Sequence, residues 1–423
     1  MAGPLPRHLL PLTARVADDG RVSVGGCDIV DLAREHGTPL FVYDEVHLRE
    51  RCREAVAAFA GNVTYASKAF LCRAMAALVH EEGLGIDVST GGELHVALAA
   101  GVPAHRLVLH GNNKSVAELR TALDAGVGRL VVDSEHELDR IETLVATGSP
   151  RPRVLLRVTP GVEAHTHEYV MTGQDDTKFG FGLASGAAES ALRRAAASPH
   201  VELVGIHAHI GSNIFLLSGF ERAIERLAPF VRTAGLPELS LGGGLGVAYI
   251  EGEETPSFAE WAGVLSQALR SEGVEAELHV EPGRSIAAAA AITVYTVGTV
   301  KDLPGIRTYV SVDGGMSDNP RPVLYDSGYE AFMPAYADRD RPVLATIVGK
   351  HCESGDVLVR DAHLPAALAV GELVATPVTG AYGHSMASNY NKVPRPPVLF
   401  VRDGEARVVV RRETLDDLLR LDT

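Results

Sequence analysis

Short β-type runs alternate with amphipathic stretches between residues 61 and 284, which predicts a TIM-like (β/α)8 barrel. An all-β C-terminal domain, completed by N-terminal strands, is expected to follow it. Three observations carry this. Eight β-type runs occur in the first region: "NVTYAS", "LGIDVS", "RLVLHG", "GRLVVDS", "RVLLRV", "LVGIHAHI", "ELSLGGG" and "ELHVEPG". Segments with apolar residues at helical spacing separate most of them. After residue 285 the helical spacing fades and β-type runs follow one another.

In chain order, "ARVADDGRVSVGG" near the N-terminus reads as short strands of the β-rich part. In the barrel region, "GGELHVALAAG", "KSVAELRTALDAG" and "GFERAIERLAPFVRTAG" are helices closed by glycine. Eight strand–helix units fit a closed barrel better than an open doubly wound sheet, although the count alone leaves the latter open. Beyond it, "AITVYTVGTV", "RTYVSVDGG", "RPVLATIVG", "GDVLVRD" and "ELVATPVTG" are strands. "PVLFVRDGEARVVVRR" carries Asp403-Gly404 between two strand patterns, a hairpin signal. The final "ETLDDLLRL" is expected to be a closing helix. The expected division is a barrel over 36–285 and a β-rich domain from 1–35 and 286–423.

Composition excludes several classes. With 46% hydrophobic and 22% charged residues the chain is globular, and a net charge of -15 argues against nucleic acid or an anionic membrane as partner. No apolar run approaches a membrane span of roughly 18 residues. Prolines interrupt "MAGPLPRHLLPLTARV" where a signal peptide needs an unbroken apolar core, so the expected location is cytoplasmic. Cys27, Cys52, Cys72 and Cys352 lack CxxC spacing and read as thiols.

Barrel chemistry sits at the C-terminal ends of the strands. Those ends carry Lys68, Asp87, His110, Arg157, His207 and His209, the run Gly242-Gly243-Gly244, and Glu281-Pro282-Gly283-Arg284. Lys68 stands in "VTYASKAFLC", among small and apolar neighbours. A lone lysine is ordinarily a solvated surface group. Here an amine at a strand end can instead form a Schiff base with an aldehyde. "LGGGLG" lets backbone N–H groups approach a phosphate, Glu281 can bond a protonated pyridine nitrogen, and His209 can stack on a ring. These are the requirements of pyridoxal phosphate. The glycine run lacks GxGxxG spacing, so a tight turn is its plainer reading. His207 and His209 also have metal-ligand spacing, repeated by His165 and His167.

The motifs "YASKAF", "HAHIGSNI", "LGGGLG", "EPGR", "VDGGMSDNPRPVLY", "GKHCESGDVL" and "GAYGHSMASNYN" run from residue 65 to 391. "GTPLFVYDE" and "RRETLDDLL" flank them. In these the chain resembles the pyridoxal-phosphate decarboxylases of the alanine-racemase-like fold, and among them the diaminopimelate decarboxylases. The resemblance implies decarboxylation of meso-diaminopimelate to lysine and carbon dioxide. It also implies a homodimer whose sites are shared, with "CESGD" reaching in from the partner chain. Lys68 is then similar to the Schiff-base lysine, His209 to the ring-stacking histidine and Ser212 to a phosphate contact. Gly243, Gly244 and Glu281, Pro282, Gly283 and Arg284 resemble the phosphate loop and ring-nitrogen carboxylate. Cys352 is similar to the proton donor and Glu353 to the residue that recognises the distal amine. Arg284, Arg321, Tyr325 and Tyr382 resemble substrate or cofactor contacts. Racemases of this fold carry arginine where Glu281 stands, which favours decarboxylation here.

The departures are Asn213, where glutamine is usual, Leu216 and Leu217, where acidic residues are common, and Gly383 and His384, where members vary. Asp87, His110, Arg157 and Lys178 receive no assigned role beyond support or loop anchoring. Three alternatives stay open: the same chemistry on another basic or carrier-bound amino acid, a metal-dependent barrel hydrolase using the His-x-His pairs, and a catalytically silent homologue. Arg321 and Tyr325 discriminate within the first, because a substrate lacking a distal carboxylate gives that arginine nothing to bind.

Overall fold

A computed structural model describes residues 2–162 and 176–423, and the chain divides into two compact units. One comprises residues 51–246 and 255–284, the other 1–50, 247–254 and 285–423.

In the first unit all eight expected strands form: Thr64–Ala66, Gly85–Val88, Leu107–Leu109, Arg129–Val132, Arg153–Thr159, Glu202–His207, Glu238–Ser240 and Glu277–His279. Each pairs in parallel with the next. A bridge between Val63 and Val280 closes the ring, with Thr64 N–H donating to the Val280 carbonyl at 2.9 Å. Among the described residues the barrel therefore has no free sheet edge.

Its helices start where the sequence supplies caps. Ser115 and Glu118 form a reciprocal capping box ahead of Val116–Ala125, and Ser257 with Glu260 does the same ahead of Phe258–Ser271. Val108, Val131, Leu155 and Val204 form one buried apolar cluster. Two residues further along three of these strands, on the same face by strand alternation, come His110, Asp133 and Arg157. The apolar layer thus passes directly into a polar one at the C-terminal mouth. In the sixth strand a register shift between Leu203 and Gly205 offsets the alternation.

The second unit is built on the sheet order Val357–Leu364, Val343–Val348, Arg307–Val312, Ala291–Leu303, Leu40–Asp44, Val398–Arg402, Glu405–Val410, with Leu373–Pro377 also paired to Ala291–Leu303. The long strand Ala291–Leu303 serves two sets of neighbours, and its register shifts between Val297 and Thr299, at Gly298. The Asp403-Gly404 hairpin forms, with both residues at positive φ (52° and 82°), as a two-residue loop of this type requires.

The structure departs from the sequence expectations in three respects. Residues 36–50, including the central strand Leu40–Asp44, lie in the β unit, as do residues 247–254. That fully buried strand has apolar residues on both faces, so its pattern does not reveal its sheet. The N-terminal strands Arg15–Val16, Val22–Val24 and Cys27–Asp28 form a small sheet of their own. They reach the rest of the unit through Val22 N–H to the Pro334 carbonyl and Gly404 N–H to the Gly25 carbonyl. The closing helix shrinks to a single 3-10 turn, Asp416–Leu418. Leu415, Leu419 and Leu421 are all exposed, so no apolar face stabilises a longer helix. Among the described residues no helix is long and apolar enough to cross a membrane.

Candidate active site

At the barrel mouth the chain sets a carboxylate, three imidazoles, an amine and a glycine loop on or just past strand ends. Glu281 follows the eighth strand and is buried. Its Oε1 accepts from Ser240 Oγ at 2.9 Å and its Oε2 from His207 Nε2 at 3.0 Å. His110 Nε2 lies 3.4 Å from Oε1, with Asp87 Oδ1 3.8 Å from the same nitrogen. Burial alone would raise the Glu281 carboxyl, but His207 and His110 outweigh it and hold the group well below the usual carboxylate range. Glu281 is thus kept as a buried anion. Burial brings His207 down to about 4, so it is a neutral imidazole and gives its Nε2 proton to Glu281. Burial works against a charge on His110 too, yet Asp87 and Glu281 raise it above the ordinary range.

His209 lies beyond the end of the sixth strand. Burial first, then Lys68 and Arg157, hold it well below the ordinary histidine value, so it presents a neutral ring. Gly242 is fitted against that ring: a Cβ there would sit 2.6 Å from Nδ1, and the residue has φ +65°. A Cβ on Gly243 would collide with the Glu281 carbonyl, and one on Gly244 would lie 2.6 Å from the Gly211 carbonyl. The "LGGGLG" run therefore brings the backbones after the sixth, seventh and eighth strands closer than any side chain permits. Ile214 N–H donates to the Gly244 carbonyl at 2.8 Å. Asn213 adopts φ 60°, a left-handed conformation that asparagine tolerates well. Beside this loop Arg284 Nη2 donates to Ser212 Oγ at 2.9 Å.

Lys68 occupies the 3-10 turn Ser67–Ala69 after the first strand. Ser67, Ala69 and Phe70 are buried while Lys68 itself is exposed. Gly283 packs onto this strand end, where a Cβ would meet the Ala66 carbonyl at 2.9 Å, so Pro282 and Gly283 join the first and eighth strands beside the lysine.

The β unit holds the other named residues in two clusters. Arg321 is 4% exposed, stands between Pro320 and Pro322 at the start of a short helix, and donates to Tyr329 OH at 2.6 Å. Its guanidinium carbon lies 4.3 Å from the centroid of the Tyr249 ring. Tyr325 ends that helix and Tyr382 adopts φ 60°; both are partly buried. Cys352 and Glu353 are exposed in the "CESGD" loop. Asp356 fixes that loop by accepting from His351 N–H at 2.9 Å and Met316 N–H at 2.6 Å. Asn391 Oδ1 accepts from Cys352 N–H at 3.3 Å.

A family model described as pyridoxal-dependent decarboxylase, pyridoxal binding domain, matches residues 45–288. Curated relatives named diaminopimelate decarboxylase match nearly the whole chain. That of Mycobacterium bovis is 49% identical over 424 residues, 95% of either chain, and that of Bacillus subtilis is 46% identical over 430 residues, 97% of either chain. The solved diaminopimelate decarboxylase of M. jannaschii in co-complex with L-lysine has a TM-score of 0.90 at 32% identity, covering 97% of this chain and 98% of that one. The enzyme from Helicobacter pylori complexed with L-lysine has a TM-score of 0.85 at 33% identity, covering 93% and 98%.

This chain belongs to the diaminopimelate decarboxylase family.

It is a pyridoxal-phosphate-dependent lyase, and the mouth fits that cofactor. The donor set supplies an amine for the aldehyde, an anion for a protonated ring nitrogen and a neutral imidazole for the ring face. A serine, an arginine and backbone held open by glycine suit the phosphate. His110, His207 and Glu281 form a group whose ligating atoms lie within 4.8 Å of one another, the geometry of a metal site. The metal-ligand spacing in the sequence falls on other pairs, His207 with His209 and His165 with His167. The sixth strand ends at His207, so His209 belongs to the following loop, and His165 and His167 lie outside the described residues. Membership in a pyridoxal-dependent decarboxylase family replaces the hydrolase reading.

Sequence reasoning left His110 and Asp87 without roles and missed Ser240 and Asp133. Arg157 stands 3.7 Å from Asp133 and 4.1 Å from the Phe179 ring centroid, while Lys178 is exposed beside the same ring. Part of the signal was present, since His110 and Asp133 directly follow the apolar strand runs Leu107–Leu109 and Arg129–Val132, while Asp87 and Ser240 lie within their strands. Only closure of the barrel shows which of them face Glu281.

Proposed function

We propose that this decarboxylase converts meso-2,6-diaminopimelate to L-lysine and carbon dioxide. The observation that carries the substrate is the buried Arg321 guanidinium, which has no carboxylate partner among the described residues. A planar guanidinium takes a carboxylate through two parallel hydrogen bonds. The amino-acid end of diaminopimelate remote from the reacting carbon offers one. Glu353 receives its ammonium, and Tyr325 and Tyr382 line the same substrate.

When bound, pyridoxal phosphate supplies the electron sink for the pair of electrons left as the carboxylate departs. Lys68 holds its aldehyde. Glu281, kept ionised by its imidazole partners, would hold a proton on the ring nitrogen, and the neutral His209 would offer its ring to the cofactor's face. Ser212, Gly243, Gly244 and Arg284 hold the phosphate. The C–C bond to the carboxylate breaks, carbon dioxide leaves without the bonding pair, and the Cys352 thiol would give its proton to the α-carbon that keeps the pair, becoming a thiolate. In this reading the enzyme is a cytoplasmic homodimer, and Cys352 and Glu353 come from the partner subunit.

The test is carbon dioxide release from a panel of amino acids. Diaminopimelate should be turned over well ahead of lysine, ornithine and arginine. Arg321→Ala should lower kcat/KM for diaminopimelate by about 1.5–3 kcal/mol, the range for a charge-assisted hydrogen bond. Cofactor absorbance should stay intact. Full preference for diaminopimelate in the folded variant would reopen the choice of substrate.

A further inference from the structure

Resting on the reading of Arg321 as the carboxylate receptor, we infer that Tyr249 and Tyr329 are specificity-determining positioning residues. They orient the guanidinium and leave its charge for the ligand. Three contacts close this cluster. Arg321 Nη1 donates to Tyr329 OH at 2.6 Å, its guanidinium stacks 4.3 Å from the Tyr249 centroid, and the two rings meet edge to face at 5.2 Å and 76°. All three residues are buried, with Tyr249 at 4% and Tyr329 at 5% exposure.

The chemistry of the partners matters more than their number. A buried arginine is ordinarily matched by an internal carboxylate, which would satisfy it and remove its attraction for an anionic ligand. Tyrosine supplies instead a ring face and a neutral oxygen. These fix the plane of the guanidinium, and hence the direction of its remaining N–H groups, without cancelling its charge. A preoriented fork recognises a planar carboxylate and gains nothing from a bare ammonium. Tyr249 lies in "GVAYI" and Tyr329 in "SGYEAF", outside the motifs that identify the site.

The probes are L-lysine, which carries a complete amino-acid end, and cadaverine, the same chain without the carboxylate. Both are titrated calorimetrically against the cofactor-loaded enzyme. Tyr329→Phe, which keeps the ring and removes the acceptor, should weaken L-lysine about tenfold, equal to about 1.4 kcal/mol. Cadaverine should change by less than about twofold. Tyr249→Leu should behave alike, and Tyr249→Phe should retain wild-type affinity for both. Equal weakening of the two ligands would reveal a merely structural role, and unchanged L-lysine affinity in both variants would also overturn the inference. Arg321→Ala separates the two levels. If it erases the difference between the ligands while the tyrosine variants keep it, the tyrosines alone are wrongly assigned. If it preserves the difference, the carboxylate-receptor reading itself falls.

Discussion

Replacing Glu281 by glutamine removes the site's buried anion and almost nothing else. The side chains are nearly isosteric. Glu281 Oε1 accepts from Ser240 Oγ at 2.9 Å and Oε2 from His207 Nε2 at 3.0 Å. An amide keeps one acceptor and turns the other into a donor. If the amide NH2 faces Ser240, the hydroxyl rotates to accept. If it faces His207, the imidazole moves its proton to Nδ1, a buried atom with no hydrogen-bond partner among the described residues. The first orientation keeps every contact, so the variant can fold with its amide turned to Ser240. What it loses is the charge that would hold a proton on the ring nitrogen. A hydrogen bond to a charged group contributes about 1.5–3 kcal/mol, so kcat should fall roughly 10- to 150-fold if that bond is needed in the transition state. The assay is carbon dioxide release at saturating diaminopimelate and cofactor, with occupancy checked by visible absorbance. Turnover within about twofold of wild type at full occupancy would refute the role of Glu281. Stability supplies a second readout with a fixed sign. The Glu281 carboxyl lies well below its ordinary value, so its ionised form stabilises the fold at neutral pH. The wild-type advantage over Glu281→Gln should fade as pH falls below the ordinary glutamate value of about 4.3 towards the folded-state value.

Lys68→Ala should lose cofactor on desalting, lose the visible absorbance of the loaded enzyme and drop in turnover by several powers of ten; near-wild-type turnover would remove the central role of Lys68. Mixing inactive Lys68→Ala with inactive Cys352→Ala should restore activity at roughly a quarter of the sites, as random mixing of a two-fold dimer gives. Subunit exchange without recovered activity would show that the sites are not shared. Asp318 accepts from Tyr295 OH at 2.8 Å and Gly315 N–H at 3.0 Å, yet burial pushes its carboxyl up to about 7. A raised value means the folded state binds the proton more tightly. The resulting stability is full below the unfolded value of about 3.9 and is lost as pH rises through about 7. Urea midpoints of wild type relative to Asp318→Asn should therefore fall between those pH values, and a flat difference would contradict the assignment.

The sequence by itself determined the strand–helix alternation, because strand and helix periods are local properties, and it narrowed the topology to a closed barrel or an open doubly wound sheet; the bridge between Val63 and Val280 decides for the barrel. It also brought Lys68, His110 and Glu281 close to strand ends, while the sixth strand stops at His207 and leaves His209 to the loop, and the order of its motifs pointed to the family. The tertiary structure decided what lies beside them. Ser240 meets Glu281 from the neighbouring seventh strand, while His207 from the sixth strand and His110 after the third reach it across the curled barrel that the bridge between Val63 and Val280 closes. The strand Leu40–Asp44 reads like a barrel strand, since burial on both faces erases the alternation, and only its pairing with Ala291–Leu303 and Val398–Arg402 assigns it. The C-terminal "ETLDDLLRL" shows the converse: helical spacing without a surface to bury it gives one turn. Arg321 was legible as a charge between prolines, but tyrosines at positions 249 and 329 are ordinary residues in the sequence. Their role exists only in space, because a ring face and a phenolic oxygen act on a guanidinium over a few ångströms, and no local pattern records which distant residues will share that distance.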